Sequence, residues 1–425
     1  MRDGSARLLP RGRWLWLAIA ALVLLLAGAA LGAYFYERHR TGSIYHPNAR
    51  FIPQSTPTLP ASVPDRFSWP LYGYTKNHTR FFPAGPHLRP PFRQLWVRSG
   101  GALLEFPPVL EGESIFQLSD NGVLSAINKR NGHTFWSRRL GELSAACPAV
   151  VKGMVYATVL ARRGGGGGRI VALTAAHGAV RWARDVSSRT ESSPLVDQGK
   201  VFFGSESGKV YAMDARNGNI VWTYQAPGAV KASPSLSGGV LYFGDYSGHL
   251  QAVSEQTGRR LWISGSEGAL LGSGNFYSTP AVVYGRVFLG NTDGRVYAYD
   301  ASTGKLDWAV QTGAYVYASP AVTNAPGIGP TIYLGSYDGT FYALNAQSGR
   351  IAWRFNAGEK ISGSATIVGR TVYFADLGQR RTYGLGVSTG RVSFEKGAGG
   401  FDPVISDGQH IYLTGYTGLF ALAPR

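Results

Sequence analysis

Short runs of alternating apolar and polar residues recur along the chain from Pro108 to the C-terminus, separated by turns that contain glycine. In one copy the apolar run 201–204 is followed by a turn at 207–208, a second run at 210–214 and a third at 220–222. Alternation with a period of two predicts β-strands with one buried face, and glycine suits the turns because it adopts positive φ without strain. Four-stranded units repeated about every 40 residues predict the blades of a β-propeller.

Eight copies of the unit predict eight blades. The residues that open the copies are Pro108, Pro148, Pro194, Pro234, Pro280, Pro320, Ala365 and Pro403. The eighth copy stops before its fourth strand, whereas residues 93–98 form a spare strand ahead of the first copy. We therefore expect an all-β, eight-bladed propeller of four-stranded antiparallel blades over residues 69–425. In it, 93–98 completes the last blade and removes two open sheet edges.

A glycine stands four residues before a tryptophan in six copies, as in residues 300–308, where Gly304 precedes Trp308. This rhythm resembles the tryptophan docking motif of the pyrroloquinoline-quinone (PQQ) repeat propellers. That superfamily contains the quinoprotein alcohol dehydrogenases and the non-catalytic BamB-like scaffold. The resemblance covers residues 69–425. It implies that each indole packs between neighbouring blades and donates its N–H to a backbone carbonyl. A seam between blades suits tryptophan, because most of the large ring is buried there while its one polar atom finds a partner. The docking residues are expected to be Trp96, Trp136, Trp182, Trp222, Trp262, Trp308 and Trp353.

The segment before the repeats predicts a membrane anchor. Residues 14–36 form one apolar stretch without a charge, and a helix of that length spans a hydrocarbon core of about 30 Å. The basic residues within 1–13 predict a cytoplasmic N-terminus, and hence a single-pass protein of the cell membrane with an extracytoplasmic propeller. Cleavage as a signal peptide is the alternative, because small residues occur at 27–29. Residues 37–68 carry five prolines among Ser and Thr, which predicts a semi-extended tether.

The net charge of +17 is concentrated near the N-terminus, because residues 1–98 hold 13 Lys and Arg against 3 Asp and Glu. A basic segment beside a bilayer favours anionic lipid or cell-wall polymer, and we expect no nucleic acid as a partner across the membrane. Residues 69–73 and 79–80 resemble the lead-in to the first blade of PQQ-repeat proteins. The sequence indicates a solvated basic surface at Arg80, Arg89, Arg93 and Arg98. The single Cys147 is interpreted as a small buried residue.

One cluster of polar side chains is expected at the mouth of the central channel. The innermost strand of each blade lines this channel, and the residue three positions before each opening proline stands near the start of that strand. The expected ligand-binding residues are Glu105, Glu191, Lys231, Tyr277, Tyr317, Lys360 and Asp402. Such groups suit a polyanionic or sugar-like ligand. A wet, polar channel mouth without a ligand is the alternative interpretation.

The sequence carries no metal-binding or catalytic signature: its 8 His residues are scattered and it has 1 Cys. The resemblance implies that a dehydrogenase of this superfamily holds PQQ with Ca²⁺, often beside a vicinal disulfide, which one cysteine cannot form. We therefore expect no catalytic residue, no metal, no cofactor, and a monomeric scaffold that binds extracytoplasmic or membrane proteins. Two alternatives stay open. One is a PQQ- and Ca²⁺-dependent alcohol or sugar dehydrogenase, and the other is a carbohydrate or cell-wall binding module that uses exposed Tyr277 and Tyr317.

Overall fold

A computed structural model describes residues 11–40, 42–54, 68–162, 166–267 and 274–425 of the chain, with the backbone alone at 11–15 and 34–40. The predictions for the first ten residues and for residues 55–67 of the tether lie outside the described residues. Helix α1, Arg11–Arg40, contains an apolar window, Trp16–Ala33, that is long enough to cross a membrane. The window is unburied, which agrees with either a membrane anchor or a signal sequence.

Eight sheets follow the helix, which confirms the predicted count of blades. Four strands precede the first blade: β1 Ile44–Tyr45, β2 Ser68–Trp69, β3 Phe81–Phe82 and β4 Phe92–Ser99. Blades one to four are β5 Val109–Glu111, β6 Ser114–Leu118, β7 Val123–Asn128, β8 Thr134–Arg139; β9 Ala149–Val151, β10 Met154–Val159, β11 Arg169–Thr174, β12 Val180–Asp185; β13 Leu195–Asp197, β14 Lys200–Phe203, β15 Lys209–Asp214, β16 Ile220–Gln225; β17 Ser235–Ser237, β18 Val240–Gly244, β19 His249–Ser254 and β20 Arg260–Gly265.

The remaining blades repeat the same antiparallel meander, with the first strand innermost. Blades five to eight are β21 Ala281–Val283, β22 Arg286–Gly290, β23 Arg295–Asp300, β24 Leu306–Gln311; β25 Ala321–Ala325, β26 Gly329–Gly335, β27 Thr340–Asn345, β28 Ile351–Asn356; β29 Thr366–Val368, β30 Thr371–Ala375, β31 Thr382–Gly386, β32 Val392–Lys396; β33 Val404–Ser406, β34 Ile411–Thr414 and β35 Gly418–Pro424. The last blade takes its fourth strand from β4, which pairs antiparallel with β35. Both ends of the propeller therefore lie in one sheet, and the ring has no open edge there.

The seams between blades are built from tryptophans. Each indole Nε1 donates to a backbone carbonyl of the next blade at 2.9–3.2 Å: Trp96 to Lys129, Trp136 to Ala175, Trp182 to Ala215, Trp222 to Glu255, Trp262 to Ala301, Trp308 to Ala346 and Trp353 to Val387. The same ring covers the turn glycine of that next blade. Phe394 stands in the corresponding place of blade seven and packs edge-on against Phe92, with ring centres 5.6 Å apart.

The lead-in, residues 68–82, fills the centre of the ring, and we call it the plug. β2 pairs with β5 of blade one, and β3 pairs in parallel with β29 of blade seven. Carbonyls of the plug accept hydrogen bonds from the innermost strands of five blades: Pro70 from Val150, Lys76 from Leu236, Asn77 from Val282, Thr79 from Val322 and Arg80 from Ile367. The plug thus makes backbone hydrogen bonds to six of the eight blades.

The plug overturns one interpretation of the sequence. Arg80 is not part of a solvated surface but is 1% exposed, because the chain carries it through the centre of the ring. Its guanidinium carbon lies 3.9 Å from the centre of the Tyr72 ring, and its Nη1 lies 3.7 Å from the Asp402 carboxylate. Arg89 and Arg93 are exposed, as the sequence indicates.

A second non-repeating segment, residues 42–54, contacts blade five, and we call it the strap. β1 pairs with β24 as a fifth strand on the outer edge of that blade. Further along, the Ile52 amide donates to the carbonyl of Tyr284 at 3.1 Å, and the rings of Phe51 and Tyr284 lie 5.2 Å apart. The first part of the predicted tether therefore lies against the propeller, a contact that its proline-rich composition does not predict.

Candidate functional site

A cavity of about 260 Å³ lies at the centre of the ring, next to the plug and on the side where the innermost strands begin. Six of the seven residues expected to bind a ligand line it: Glu105, Glu191, Lys231, Tyr277, Tyr317 and Asp402. Lys360 lies outside the lining, with its ammonium 5.7 Å from the ring centre of the lining residue Tyr337. The repeat brings these side chains together because each precedes the innermost strand of a different blade.

Lys231 is the centre of an ion-pair network on one wall. Its ammonium lies 2.8 Å from a carboxylate oxygen of Glu191 and 3.0 Å from one of Glu206. Burial opposes the charge of Lys231, but hydrogen bonds to the two carboxylates raise its pKa above the ordinary value. The Tyr277 hydroxyl donates to Glu191 at 3.5 Å. The single cation of this wall is therefore already shared between two acids.

Asp402 joins the cavity to the plug. Its carboxylate accepts the Ser364 amide N–H at 2.9 Å and the hydroxyl of Tyr72, a plug residue, at 3.3 Å. Burial raises the pKa of Asp402, although the nearby Arg80 guanidinium acts in the opposite direction. Tyr72 is fully enclosed and its pKa is also raised by burial. These buried groups couple the cavity wall to the segment that fills the ring.

Glu105 is the one lining carboxylate for which the described part of the chain provides no hydrogen bond or ion pair. Burial raises its pKa to about 7, and the neighbouring acids Glu191, Asp402 and Asp120 add to the effect. A carboxyl in this state titrates near neutral pH and lacks a compensating cation.

Aromatic rings form the adjoining wall. Tyr277 and Tyr317 have ring centres 5.7 Å apart, and Tyr317 and Tyr337 have centres 4.9 Å apart. Tyr246 continues the series, 6.2 Å from Tyr277 and 5.2 Å from the Lys231 ammonium. Tyr277 and Tyr317 are half-buried rather than exposed. The structure thus assembles a belt of four phenol rings along blades four to six.

Sequence reasoning missed two members of this tyrosine belt. Tyr246 and Tyr337 lie in the turns between the second and third strands of their blades, in the sequences Gly-Asp-Tyr-Ser-Gly at 244–248 and Gly-Ser-Tyr-Asp-Gly at 335–339. The tyrosine two residues before the turn glycine recurs in both copies, and this recurrence is the signal that points to them. Tyr72 was also missed as a lining residue, because it comes from the non-repeating plug.

The described side chains of the lining leave no free cation for the carboxylates of PQQ. The cofactor carries three carboxylates and needs cations around it, whereas the cavity offers Glu105, Glu191 and Asp402 and the already paired Lys231. Within the described ranges, no group of three or more His, Cys, Asp or Glu side chains is placed to hold a metal ion. Cys147 is buried and free, and as the single cysteine of the sequence it has no second thiol in the chain with which to form a disulfide.

Comparisons with known proteins identify the fold family. The model of the family described as "Outer membrane protein assembly factor BamB" matches residues 120–269, 247–400 and 321–422, which together make up more than half of the 425 residues. No curated protein sequence matches the chain.

Solved structures share the architecture at low sequence identity. BamB from Moraxella catarrhalis is 18% identical with a TM-score of 0.64, covering 78% of this chain and 100% of its own. A europium-containing methanol dehydrogenase is 15% identical with a TM-score of 0.68, covering 84% and 98%. The quinohemoprotein alcohol dehydrogenase of Comamonas testosteroni is 14% identical with a TM-score of 0.68, covering 85% and 81%. These likenesses show the fold alone. By its family match, its eight blades and its docking tryptophans, the chain belongs to the PQQ-repeat β-propellers of the BamB type.

Proposed function

We propose that this protein is a membrane-anchored, extracytoplasmic scaffold that binds envelope proteins and catalyses no reaction. The observation that carries the proposal is the chemistry of the cavity. A PQQ-repeat dehydrogenase needs a pocket that neutralises a tricarboxylate, and this cavity presents an excess of acids instead. We therefore assign the function to the rigid outer surface of the propeller, which would bind other proteins. The family description, an assembly factor, suggests the same use.

The outer rim supplies a surface for partners. The outermost strands of seven blades each expose a large apolar side chain, between 45% and 58% accessible: Val97, Phe135, Val180, Ile220, Leu261, Ile351 and Val392. Apolar side chains at the centre of a protein interface contribute much of the binding energy once they are desolvated. A ring of them gives a partner a choice of docking positions around the rim.

The strap supports anchoring close to the membrane. Only residues 41–43 separate the end of α1, Arg40, from the first residue of β1, Ile44. Four backbone steps of up to about 3.6 Å span at most about 14 Å. The apolar window of α1 ends at Ala33, and seven further helical residues add about 10 Å, so an uncleaved α1 would hold the outer edge of blade five within about 25 Å of the membrane.

Crosslinking in the native membrane tests the scaffold. A photoreactive phenylalanine analogue would replace each of the seven exposed rim residues in turn, beginning with Val97 in blade eight and ending with Val392 in blade seven. The proposal predicts discrete crosslinks to envelope proteins from one sector of the rim, with the other blades as internal controls. Absence of crosslinks at every position would count against a scaffold.

Calorimetry decides between the scaffold and the dehydrogenase. The full chain in detergent micelles is titrated with PQQ, with and without Ca²⁺. We expect no stoichiometric binding, because the lining has no free cation for the carboxylates of the cofactor and the described residues form no cluster of three or more ligands for Ca²⁺. Ca²⁺-dependent binding at a ratio of one to one would replace the proposal with an oxidoreductase, and alcohols and sugars would then be tried as substrates.

A further inference from the structure

The charges around the central cavity do not balance. Four carboxylates line it or contact its lining cation, and three cations oppose them: Lys231 on the wall, Arg80 behind Asp402, and Arg189, whose Nε lies 3.8 Å from Glu206. The carboxylates are Glu105, Glu191, Glu206 and Asp402. This deficit is local, because the chain as a whole has a net charge of +17. The central cavity is therefore acidic although the protein as a whole is basic.

The three cations are all occupied. Lys231 bridges Glu191 and Glu206, Arg189 pairs with Glu206, and Arg80 is fully buried between Tyr72 and Asp402. None of them is paired with Glu105. Glu105 consequently faces the cavity as the acid without a partner, beside three other acids.

The tyrosine belt supplies the second half of a recognition site. The face of a phenol ring carries negative potential and attracts cations within about 6 Å of its centre. The chain already uses this attraction twice in the belt, with the ammonium of Lys231 5.2 Å from Tyr246 and that of Lys360 5.7 Å from Tyr337. Tyr277 and Tyr317, which line the cavity between them, have no cation of the chain over their rings among the described contacts.

We propose that the central cavity binds an organic cation, an ammonium or guanidinium group that lies between Glu105 and the rings of Tyr277 and Tyr317. The volume of about 260 Å³ is below the 300–1,000 Å³ typical of sites for drug-sized ligands, so the occupant is the size of one side chain or a small amine. A lysine or arginine side chain on the loop of a partner protein and a free amine share this chemistry. The assignment depends on the cavity alone and stands even if no rim partner is captured.

Other ligand classes match the cavity less well. A polyanion would be repelled by the excess of carboxylates. A metal ion lacks a cluster of ligands in the described part of the chain. A neutral sugar gains stacking on the tyrosines but leaves the charge of Glu105 uncompensated.

Titration calorimetry on the full chain in detergent micelles tests the assignment. The probes are the N-acetyl methylamides of lysine and arginine, with the glutamine derivative as a neutral control, and putrescine as a free diamine. We expect the cationic probes to bind with a Kd of about 1 mM or tighter and the glutamine derivative not to bind. Tighter binding of the amino-acid derivatives assigns the site to a partner's side chain, and tighter binding of putrescine assigns it to a free amine.

Two pairs of variants locate the bound cation. Glu105→Gln should weaken binding about tenfold, whereas Glu359→Gln, an exposed acid in the loop before blade seven and outside the lining, should leave it unchanged. Tyr317→Leu should weaken binding, whereas Tyr315→Leu, an exposed neighbour outside the lining, should not. These comparisons do not depend on one variant folding, because thermal melting of each protein is measured beside its titration.

The pH dependence gives an independent readout. Glu105 faces Glu191, Asp402 and Asp120, and its pKa of about 7 means that it is largely protonated at pH 6 and charged at pH 8. Cation binding should therefore be tighter at pH 8 in the wild type and lose this dependence in Glu105→Gln. The proposal is overturned if the cationic probes do not bind, if the glutamine derivative or a neutral sugar such as cellobiose binds as tightly, or if Glu105→Gln binds like the wild type.

Discussion

The tryptophan seams predict a specific cost for one added methyl group. Gly218 lies under the indole of Trp182, and a Cβ at this position would stand 2.6 Å from Cε3 and 2.9 Å from Cδ2 of that ring. The backbone φ of Gly218 is +72°. Gly218→Ala therefore carries two penalties, a left-handed backbone and a steric clash with a ring that is 7% exposed.

Gly199 in the same blade separates the two penalties. Its φ is +75°, and an added Cβ would have no heavy atom within 4 Å. The left-handed conformation costs a residue with a Cβ about 1–2 kcal/mol in either place. Overpacking against a fixed ring adds about 1–3 kcal/mol at Gly218 alone. Gly218→Ala should thus be less stable than Gly199→Ala by about 1–3 kcal/mol.

Thermal melting followed by circular dichroism measures this difference. An unfolding entropy of about 2.1 cal/mol/K per residue gives about 0.7 kcal/mol/K for a propeller of roughly 350 residues. The expected difference in Tm between the two variants is then about 1.5–4 °C. In a Trp182→Phe background, which removes Cε3 and Cζ3 but keeps a ring carbon at the Cδ2 position, the Gly218→Ala cost should fall part of the way towards that of Gly199→Ala.

Equal melting temperatures for the two glycine variants would contradict the docking argument. The same holds if Trp182→Phe fails to reduce the cost of Gly218→Ala, because the clash would then not be with the indole. Phe394 provides a natural precedent for the background, since blade seven keeps a ring without the indole N–H.

Three further outcomes follow from the plug, the cavity and the strap. Arg80→Met should destabilise the chain by about 3–5 kcal/mol, because it leaves the buried Asp402 carboxylate without a cation. Thermal melting measures this loss, and the double variant with Asp402→Asn should recover part of it. Glu105→Gln should be more stable than the wild type at pH 8, with the gap closing towards pH 5. The folded pKa of about 7 exceeds the unfolded value near 4.5, so the wild type loses stability as the pH rises between them; melting temperatures at pH 5, 6 and 8 decide it. Phe51→Ala, which removes the ring that packs on Tyr284, should speed proteolytic cleavage within the strap while the blades stay intact, and unchanged cleavage would show that the strap is held in another way.

The propeller could be predicted because the sequence pattern of one blade recurs in each of the other blades. Eight copies repeat the same alternation, and seven of them place a turn glycine four residues before an aromatic ring, so a degenerate copy such as the one with Phe394 does not obscure the count. The innermost strand of each blade was predictable for the same reason. Counting back three residues from Pro194, Pro234, Pro280 and Pro320 reaches four residues that line the cavity.

The parts that sequence reasoning missed come from segments that occur once or that act at a distance. The plug has no second copy to compare with, and its course is set by hydrogen bonds to strands up to 287 residues away, such as Arg80 to Ile367. Composition alone makes Arg80 a solvated cation, and only the path of the chain through the ring shows that it is buried. The strap is similar, because its proline-rich sequence does not reveal the outer edge of blade five that β1 extends.

The balance of charge in the cavity shows why a site needs its structure. The sequence supplies two lysines, Lys231 and Lys360, among several acids and phenols near the channel mouth, which suits a polyanionic ligand as well as a sugar. The distances in the structure disfavour a polyanionic ligand. Lys231 is paired with both Glu191 and Glu206, and Glu105 lines the cavity with the tyrosine rings and has no cation of its own in the described part of the chain. An acid without a partner next to aromatic faces attracts cations and repels anions. The same geometry that disfavours the tricarboxylate cofactor thus favours an ammonium or guanidinium group, so the titrations with PQQ and with the lysine derivative should give opposite results on one protein.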